Sequence, residues 1–190
     1  METRNFTKNN TLIIFITFKQ DCQMKPRKIG RIKGIQANWK HPTETRFGVG
    51  KINELPEVCQ KVGMQNPLLV ADQVVSHLPF VKKILELNRI AGIGTQMFAE
   101  ILPEPDLRCI KKGVQIFKDG QFDGIISVGG GSTLDAGKAI VLDAAVGQKA
   151  LGNYKFGSTI STKTPQKIHT IIAIPTTAGT GSEVDAMQSL

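Results

Sequence analysis

The chain has 190 residues, 41% of them hydrophobic and 21% charged, and a formal net charge of +8. This composition is typical of a globular domain with one substantial core. The positive charge is confined to the N-terminal part, because residues 1–51 carry eleven Lys or Arg and three Asp or Glu, whereas residues 52–190 carry thirteen of each. The charge of the folded body therefore does not indicate a nucleic-acid-binding protein.

The three cysteines are odd in number and widely spaced, which argues against a disulfide framework and favours reduced thiols in a cytoplasmic protein. They are Cys22, Cys59 and Cys109. The three histidines are equally scattered and lack the spacing that places two metal ligands on one helix face. Cysteine and histidine spacing therefore predicts no metal site.

Residues 1–38 differ from the rest and are interpreted as a basic N-terminal extension that could be disordered. An apolar run at residues 12–18 is too short to span a bilayer, which needs about 20 apolar residues. No small-residue cleavage site follows this run, so a signal peptide is not favoured. A mitochondrial transit peptide is an alternative, and the favoured interpretation is that Met24 is the natural start and residues 1–23 are an upstream extension. No membrane partner is expected.

From about Trp39 onward, short apolar strands alternate with amphipathic helices. The predicted elements are a strand with a turn at 46–50, a helix at 52–62, a strand at 67–72, a helix at 79–88, a strand at 96–102, a helix at 106–117, a strand at 125–128, a helix at 132–146 and a strand at 168–174. This alternation predicts an α/β fold, with a parallel sheet covered by helices on both faces.

A glycine turn separates the strand at 125–128 from the helix that follows. Gly129, Gly130 and Gly131 let the backbone approach a ligand closely, and Ser132 opens the helix. The free N–H groups of a first helical turn, at the positive end of the helix dipole, form a site for a phosphate or pyrophosphate. The alternative is that Ser132 and Asp135 form a capping box and the glycines only make a turn.

A second loop follows the strand at 168–174. It contains Thr176, Thr177 and Thr180 among glycines, at the carboxyl end of a strand, where open α/β sheets bind ligands. The alternative is a polar surface connection.

Asp72 ends an earlier strand, where a carboxylate can accept hydrogen bonds from a ribose and repel a 2′-phosphate. The alternative for Asp72 is a helix N-cap. The functional interpretation favours NAD over NADP, with NADP still possible.

Together these loops resemble the iron-containing (group III) alcohol dehydrogenase family. The family's GGGS-x-x-D-x-x-K turn matches Gly129 to Lys138, its P-T-T-A-G-T-G-S-E loop matches Pro175 to Glu183, and its V-x-D segment matches Val70 to Asp72. The resemblance implies a Rossmann-like, dehydroquinate synthase-like N-terminal domain followed by a helical domain. It also implies metal-assisted hydride transfer between NAD(P) and an alcohol or aldehyde.

The resemblance also implies roles for individual residues. The turn Gly129, Gly130, Gly131 and Ser132 would hold the pyrophosphate, and Asp135 would help to fix the nicotinamide side. The adenine and ribose would contact the loop threonines Thr176, Thr177 and Thr180. The family's ligands for Fe²⁺ or Zn²⁺, one Asp and three His, follow this loop and are not expected within the 190 residues.

Residues 39–190 are therefore expected to be a truncated NAD(P)-binding domain that binds the dinucleotide but has no turnover alone. A separately encoded helical half and a homo-oligomer are implied as partners. The alternatives are a glycerol dehydrogenase-like enzyme and a non-catalytic nucleotide-binding remnant. Glu104 departs from the family's usual Asn beside the adenosine and is left out of the predicted site.

Overall fold

A computed structural model describes residues 12–16, 37–40, 44–146, 168–179 and 181–183. Seven strands are described, at Leu12–Ile16 (β1), Ala37–Lys40 (β2), Glu44–Phe47 (β3), Pro67–Asp72 (β4), Gln96–Ile101 (β5), Gly124–Gly129 (β6) and Thr170–Pro175 (β7). The described helices are a 3₁₀ turn at Lys51–Glu54 and α-helices at Leu55–Lys61 (α1), Gln73–Ser76 (α2), Pro79–Ile90 (α3), Leu107–Asp119 (α4) and Gly131–Val146 (α5).

The described strands form one sheet in the order β2-β3-β1-β7-β6-β4-β5. β2 pairs with β3 in antiparallel fashion, and all other neighbours are parallel. In the centre, Ala71 of β4 is level with Val128 of β6, and Gly129 of β6 is level with Pro175 of β7. The predicted α/β fold with a parallel sheet is therefore confirmed.

The N-terminal part differs from the expectation of an extension over residues 1–38. Leu12–Ile16 forms β1, which pairs with both β3 and β7 inside the sheet. A five-residue apolar run without flanking turn signals is compatible with a buried parallel strand as well as with a leader segment, and only the pairing distinguishes them. The helix predicted at 52–62 is also divided, because a 3₁₀ turn precedes α1 and Pro56 stands at the start of the α-helix.

Alternate residues of the central strands pack against helices on opposite faces of the sheet. On one face, Leu69 and Ala71 of β4 lie in a core with side chains of α1 and α3. On the other face, Leu68 and Val70 lie in a core with side chains of α4 and α5. This packing explains why β4 and β6 are uninterrupted apolar runs rather than alternating ones.

α5 lies very close to β6. A Cβ atom added to Gly137 would come within 2.8 Å of Ser127 Oγ and 3.0 Å of Ser127 Cβ, so a glycine is needed at this position. The buried Ser127 hydroxyl also donates to the Thr133 carbonyl at 2.8 Å. These contacts fix the first turns of α5 above the carboxyl end of β6. Among the described residues, no helix is long and apolar enough to cross a bilayer.

Candidate functional site

The sheet reverses its direction of winding between the neighbouring strands β4 and β6. From β4 the chain passes through α3 on one face to β5, and from β6 it enters α5 on the opposite face and continues to β7 on the other side. The connections that leave these two strands therefore diverge and open a crevice at their carboxyl ends. Open α/β sheets bind their ligands in such a crevice.

The glycine turn lies at this crevice and is joined to the loop after β7. The Thr176 amide donates to the Gly129 carbonyl at 2.9 Å. An added Cβ at Gly129 would lie 2.6 Å from Thr133 Oγ1, and one at Gly130 would lie 3.3 Å from Thr177 Oγ1. The two predicted loops are thus in contact, and glycines are what allows them to approach each other.

α5 begins at Gly131, one residue before the predicted start. The amides of Thr133 and Leu134 both bond to the Gly130 carbonyl at 3.1 Å, so the turn is closed around Gly130. Ser132 lies inside the helix, and its hydroxyl donates to the Pro103 carbonyl at 2.6 Å. The capping-box alternative for Ser132 and Asp135 is therefore wrong. Early amides of this 16-residue helix face the crevice end, where the helix dipole favours an anion.

Asp72 stands at the carboxyl end of β4, level with the glycine turn of β6. Its Oδ1 accepts a hydrogen bond from the Val75 amide at 2.8 Å and caps the short helix α2. The alternative interpretation of Asp72 as a helix N-cap therefore holds for its Oδ1 atom. The cap fixes the orientation of this carboxylate at its end of the crevice.

Asp135 lies one helical turn beyond the glycine turn and is only 4% exposed. Its Oδ1 lies 2.7 Å from Lys138 Nζ, and its Oδ2 accepts a hydrogen bond from Ser182 Oγ at 3.4 Å. Both carboxylate oxygens therefore contact protein groups. The ion pair joins two residues of the GGGS-x-x-D-x-x-K segment, and Ser182 adds the loop after β7.

The loop after β7 presents hydroxyl groups to solvent. Thr176 and Thr177 are exposed, and the turn continues through Gly179, whose φ of 115° favours glycine. Thr180 lies outside the described residues. Sequence reasoning did not identify Ser182 and the Pro103 carbonyl as partners of the site, because neither contact carries a local pattern.

Among the described residues, the cysteines and the remaining acidic side chains add no nucleophile or metal-ligand cluster to this site. Burial raises the pKa of the Cys59 thiol to about 12 and also raises that of Cys109, so both are poor nucleophiles or metal ligands. Within the described ranges, no three His, Cys, Asp or Glu side chains come together as metal ligands do. The described residues therefore do not fit a metal centre.

Known enzymes of three kinds are similar in sequence to this chain. It is 34% identical over 154 residues to a choline dehydrogenase of Bacillus subtilis, covering 75% of this chain and 35% of that protein. It is 31% identical over 169 residues to a mitochondrial hydroxyacid-oxoacid transhydrogenase of Caenorhabditis elegans, covering 85% and 36%. An NAD-dependent methanol dehydrogenase of Bacillus methanolicus is 29% identical, with 79% and 38% covered. The chain thus spans about a third of the length of these relatives.

Solved structures share the fold of this chain. A 1,3-propanediol oxidoreductase superposes with a TM-score of 0.63 at 32% identity, covering 70% of this chain and 34% of that one. A sulfoacetaldehyde reductase from Bifidobacterium kashiwanohense, solved in complex with NAD⁺, shares the fold with a TM-score of 0.60 at 24% identity, covering 71% and 34%. The profile of one family, described as iron-containing alcohol dehydrogenase, matches residues 42–189. The chain belongs to the iron-containing alcohol dehydrogenase family.

Proposed function

We propose that this chain supplies the dinucleotide-binding part of an NAD-dependent, metal-assisted alcohol dehydrogenase that interconverts an alcohol and an aldehyde. The observation that carries the proposal is the contact between the two predicted loops at the reversal of the sheet, where the Thr176 amide donates to the Gly129 carbonyl. Family membership and the NAD⁺ complex of the related sulfoacetaldehyde reductase support the choice of cofactor.

In this proposal the first turn of α5 binds the pyrophosphate through backbone amides of Gly130, Gly131 and Ser132. The dipole of a 16-residue helix favours the negative charge, and the absence of side chains on the glycines lets the phosphates reach the backbone. Gly129 serves indirectly, because it allows Thr133 to pack beneath the turn.

The remaining predicted residues hold the two ends of the dinucleotide. Asp72 accepts hydrogen bonds from the adenosine ribose and disfavours NADP, while Thr176, Thr177 and Thr180 contact the adenine and ribose region. Asp135 belongs to the nicotinamide side. When bound, the nicotinamide ring supplies the hydride chemistry. The family's Fe²⁺ or Zn²⁺ is proposed for the whole protein, because the described residues do not fit it.

The proposal is tested by fluorescence titration of the purified 190-residue chain with NADH, comparing wild type with two glycine variants. Gly130→Ala places a methyl group 3.3 Å from Thr177 Oγ1 in the proposed pyrophosphate site. Gly94→Ala is a matched control, since its methyl group would also lie 3.3 Å from one side-chain oxygen, Asn66 Oδ1, at the amino ends of the strands.

We expect saturable NADH binding by wild type, and a loss of about tenfold in affinity for Gly130→Ala because the methyl group holds the phosphates away from the backbone. Gly94→Ala should bind as wild type does, and circular dichroism should show both variants folded. No saturable binding by wild type, or equal affinities for both variants, would contradict the proposal.

Substrate, assembly and location are further parts of the proposal. A primary alcohol is the substrate class, and we propose that turnover needs the helical half of the family, so the chain alone should form no NADH from NAD⁺ and ethanol with Fe²⁺ or Zn²⁺ present. We propose a homo-oligomer as the assembly and a separately encoded helical half as a partner. A cytoplasmic location agrees with the two free, buried thiols.

A further inference from the structure

Asp135 and Lys138 form a buried ion pair on the helix that follows the glycine turn. Their side chains are 6% and 11% exposed, and Nζ lies 2.7 Å from Oδ1. The same spacing occurs on α3, where Glu86 and Arg89 pair at 2.7 Å, but those side chains are 54% and 71% exposed. An exposed pair contributes little, whereas a buried pair costs desolvation and becomes harmful when one partner is removed.

The second carboxylate oxygen of Asp135 contacts the loop after β7. Ser182 Oγ donates to Oδ2 at 3.4 Å, and the same loop is held at its other end by the Thr176 amide on the Gly129 carbonyl. Between these two attachments lie Gly179 and Gly181, with φ values of 115° and 71° and open space around them. The loop is thus fixed at both ends, and two of the residues between the attachments are glycines.

We propose that Asp135 and Lys138 are positioning residues. Lys138 fixes the carboxylate of Asp135 so that it holds Ser182, and Ser182 keeps the hydroxyl-bearing loop against the first turns of α5. In this role Asp135 acts on the dinucleotide through the loop, in addition to its place on the nicotinamide side. The effect of this attachment on the width of the cofactor crevice rests on the proposed function. The attachment itself exists in the free chain and can be tested without cofactor.

Charge gives Lys138 a second effect. An uncompensated carboxylate in the second turn of α5 would lower the positive electrostatic potential at the start of the helix, where the pyrophosphate is proposed to bind. Lys138 neutralises that carboxylate within the helix. Removing the charge of Lys138 alone should therefore weaken NADH binding more than removing the charges of both Asp135 and Lys138.

The attachment is tested by amide hydrogen exchange of the peptide spanning residues 176–183 in the free chain. Asp135→Asn and Ser182→Ala should each raise its exchange rate by about 2- to 12-fold, as expected for loss of one ordinary hydrogen bond. The double variant should exchange no faster than Asp135→Asn. Lys138→Arg should keep the slow rate, and Glu86→Gln, which removes the exposed pair of α3, should leave the peptide unchanged.

Unchanged exchange in both Asp135→Asn and Ser182→Ala would overturn the inference. Lys138→Met leaves an unpaired buried carboxylate and could unfold the chain, so the neutral double variant Asp135→Asn/Lys138→Met provides the folded comparison. Its exchange should match that of Asp135→Asn.

NADH titration separates this inference from the proposed function. Ser182→Ala removes no proposed cofactor contact, so it should weaken NADH binding through the loop alone, and it should add nothing to the loss caused by Asp135→Asn. Unchanged NADH affinity in Ser182→Ala, or losses that add in the double variant, would contradict the positioning role. Absence of NADH binding in wild type would reject the proposed function, while the exchange data still decide the attachment.

Discussion

The two ends of the strands differ in how their loops are held. At the amino ends, here called the amino edge of the sheet, the loops are hydrogen-bonded to one another. At the carboxyl ends, here called the carboxyl edge, the loops are rich in Gly, Ser and Thr and are partly exposed. Before β6, the Asp123 carboxylate accepts the amides of Gln65 at 2.6 Å and Asn66 at 2.9 Å. The Asn66 side chain donates to the Gly120 carbonyl, and the Gly94 amide donates to the Gln65 carbonyl. Polar groups at this edge hold the fold together.

At the carboxyl edge, the described contacts fix the loops at a few points and leave surface between them. Thr176 and Thr177 are exposed, although the Thr176 amide is bonded to Gly129. Polar groups that the fold does not use are the ones available to a ligand. The comparison therefore predicts that changes at the amino edge alter stability, whereas changes at the carboxyl edge alter cofactor binding.

The largest expected effect concerns the closed amino edge and the thiol of Cys59. Burial, and to a smaller extent the charge of Asp123, raises its pKa to about 12 from an ordinary value of 9.0. Because the thiolate is the reactive form, alkylation of Cys59 in the folded chain should be about a thousandfold slower at pH 8 than in urea. The rate should rise about tenfold per pH unit up to the raised pKa.

Peptide-level mass spectrometry after timed iodoacetamide labelling measures this rate. Cys109, whose pKa burial also raises, provides an internal comparison at the edge of the other core. Equal labelling rates for Cys59 in the folded and urea-unfolded chain would show that the amino edge is open.

A smaller but still large effect is expected for Asp123→Ala. Two backbone amides lose their acceptor, so the free energy of unfolding should fall by about 2–4 kcal/mol. Urea denaturation followed by circular dichroism measures the loss. Asp119→Ala is the control, because Asp119 is exposed and its carboxylate accepts a hydrogen bond from the Gln115 side chain, one turn earlier in α4, and, among the described residues, not from backbone amides of a neighbouring loop. A loss for Asp123→Ala no greater than for the control would contradict a structural amino edge.

The smallest effect is expected at the carboxyl edge, for Asp72→Asn. Asn caps a helix about as well as Asp, so stability should hardly change, but the charge that opposes a 2′-phosphate is removed. The ratio of NADPH to NADH affinity should rise about tenfold. Asp106→Asn is the matched control, since Asp106 caps α4 with the same 2.8 Å bond to a backbone amide. An equal change in the affinity ratio in both variants would contradict a contact between Asp72 and the ribose.

Much of the fold could be predicted because its signals are local. Apolar runs mark β4, β6 and β7, and Asp106 before an amphipathic segment marks the start of α4, where its side chain accepts a hydrogen bond from the Cys109 amide. β1 could not be predicted in the same way, because its assignment depends on pairing with β3 and β7, which are distant in sequence.

The candidate site was only partly predictable for a similar reason. The glycine turn and the threonine loop have sequence signatures, and both lie at the reversal of the sheet. The partners of Ser132 and Asp135 have none, since the contacts with Pro103 and Ser182 join residues 29 and 47 positions apart. Side-chain pairing between loops depends on how the strands are ordered, which local patterns do not determine.

The most direct test of the difference between the two edges is an amide hydrogen-exchange map of the 190-residue chain with and without saturating NAD⁺. We predict protection of peptides covering residues 129–134 and 176–179, with no change at residues 65–66 and 120–123. Protection confined to the amino-edge peptides, or an unchanged map at a concentration that saturates wild type in titration, would contradict it.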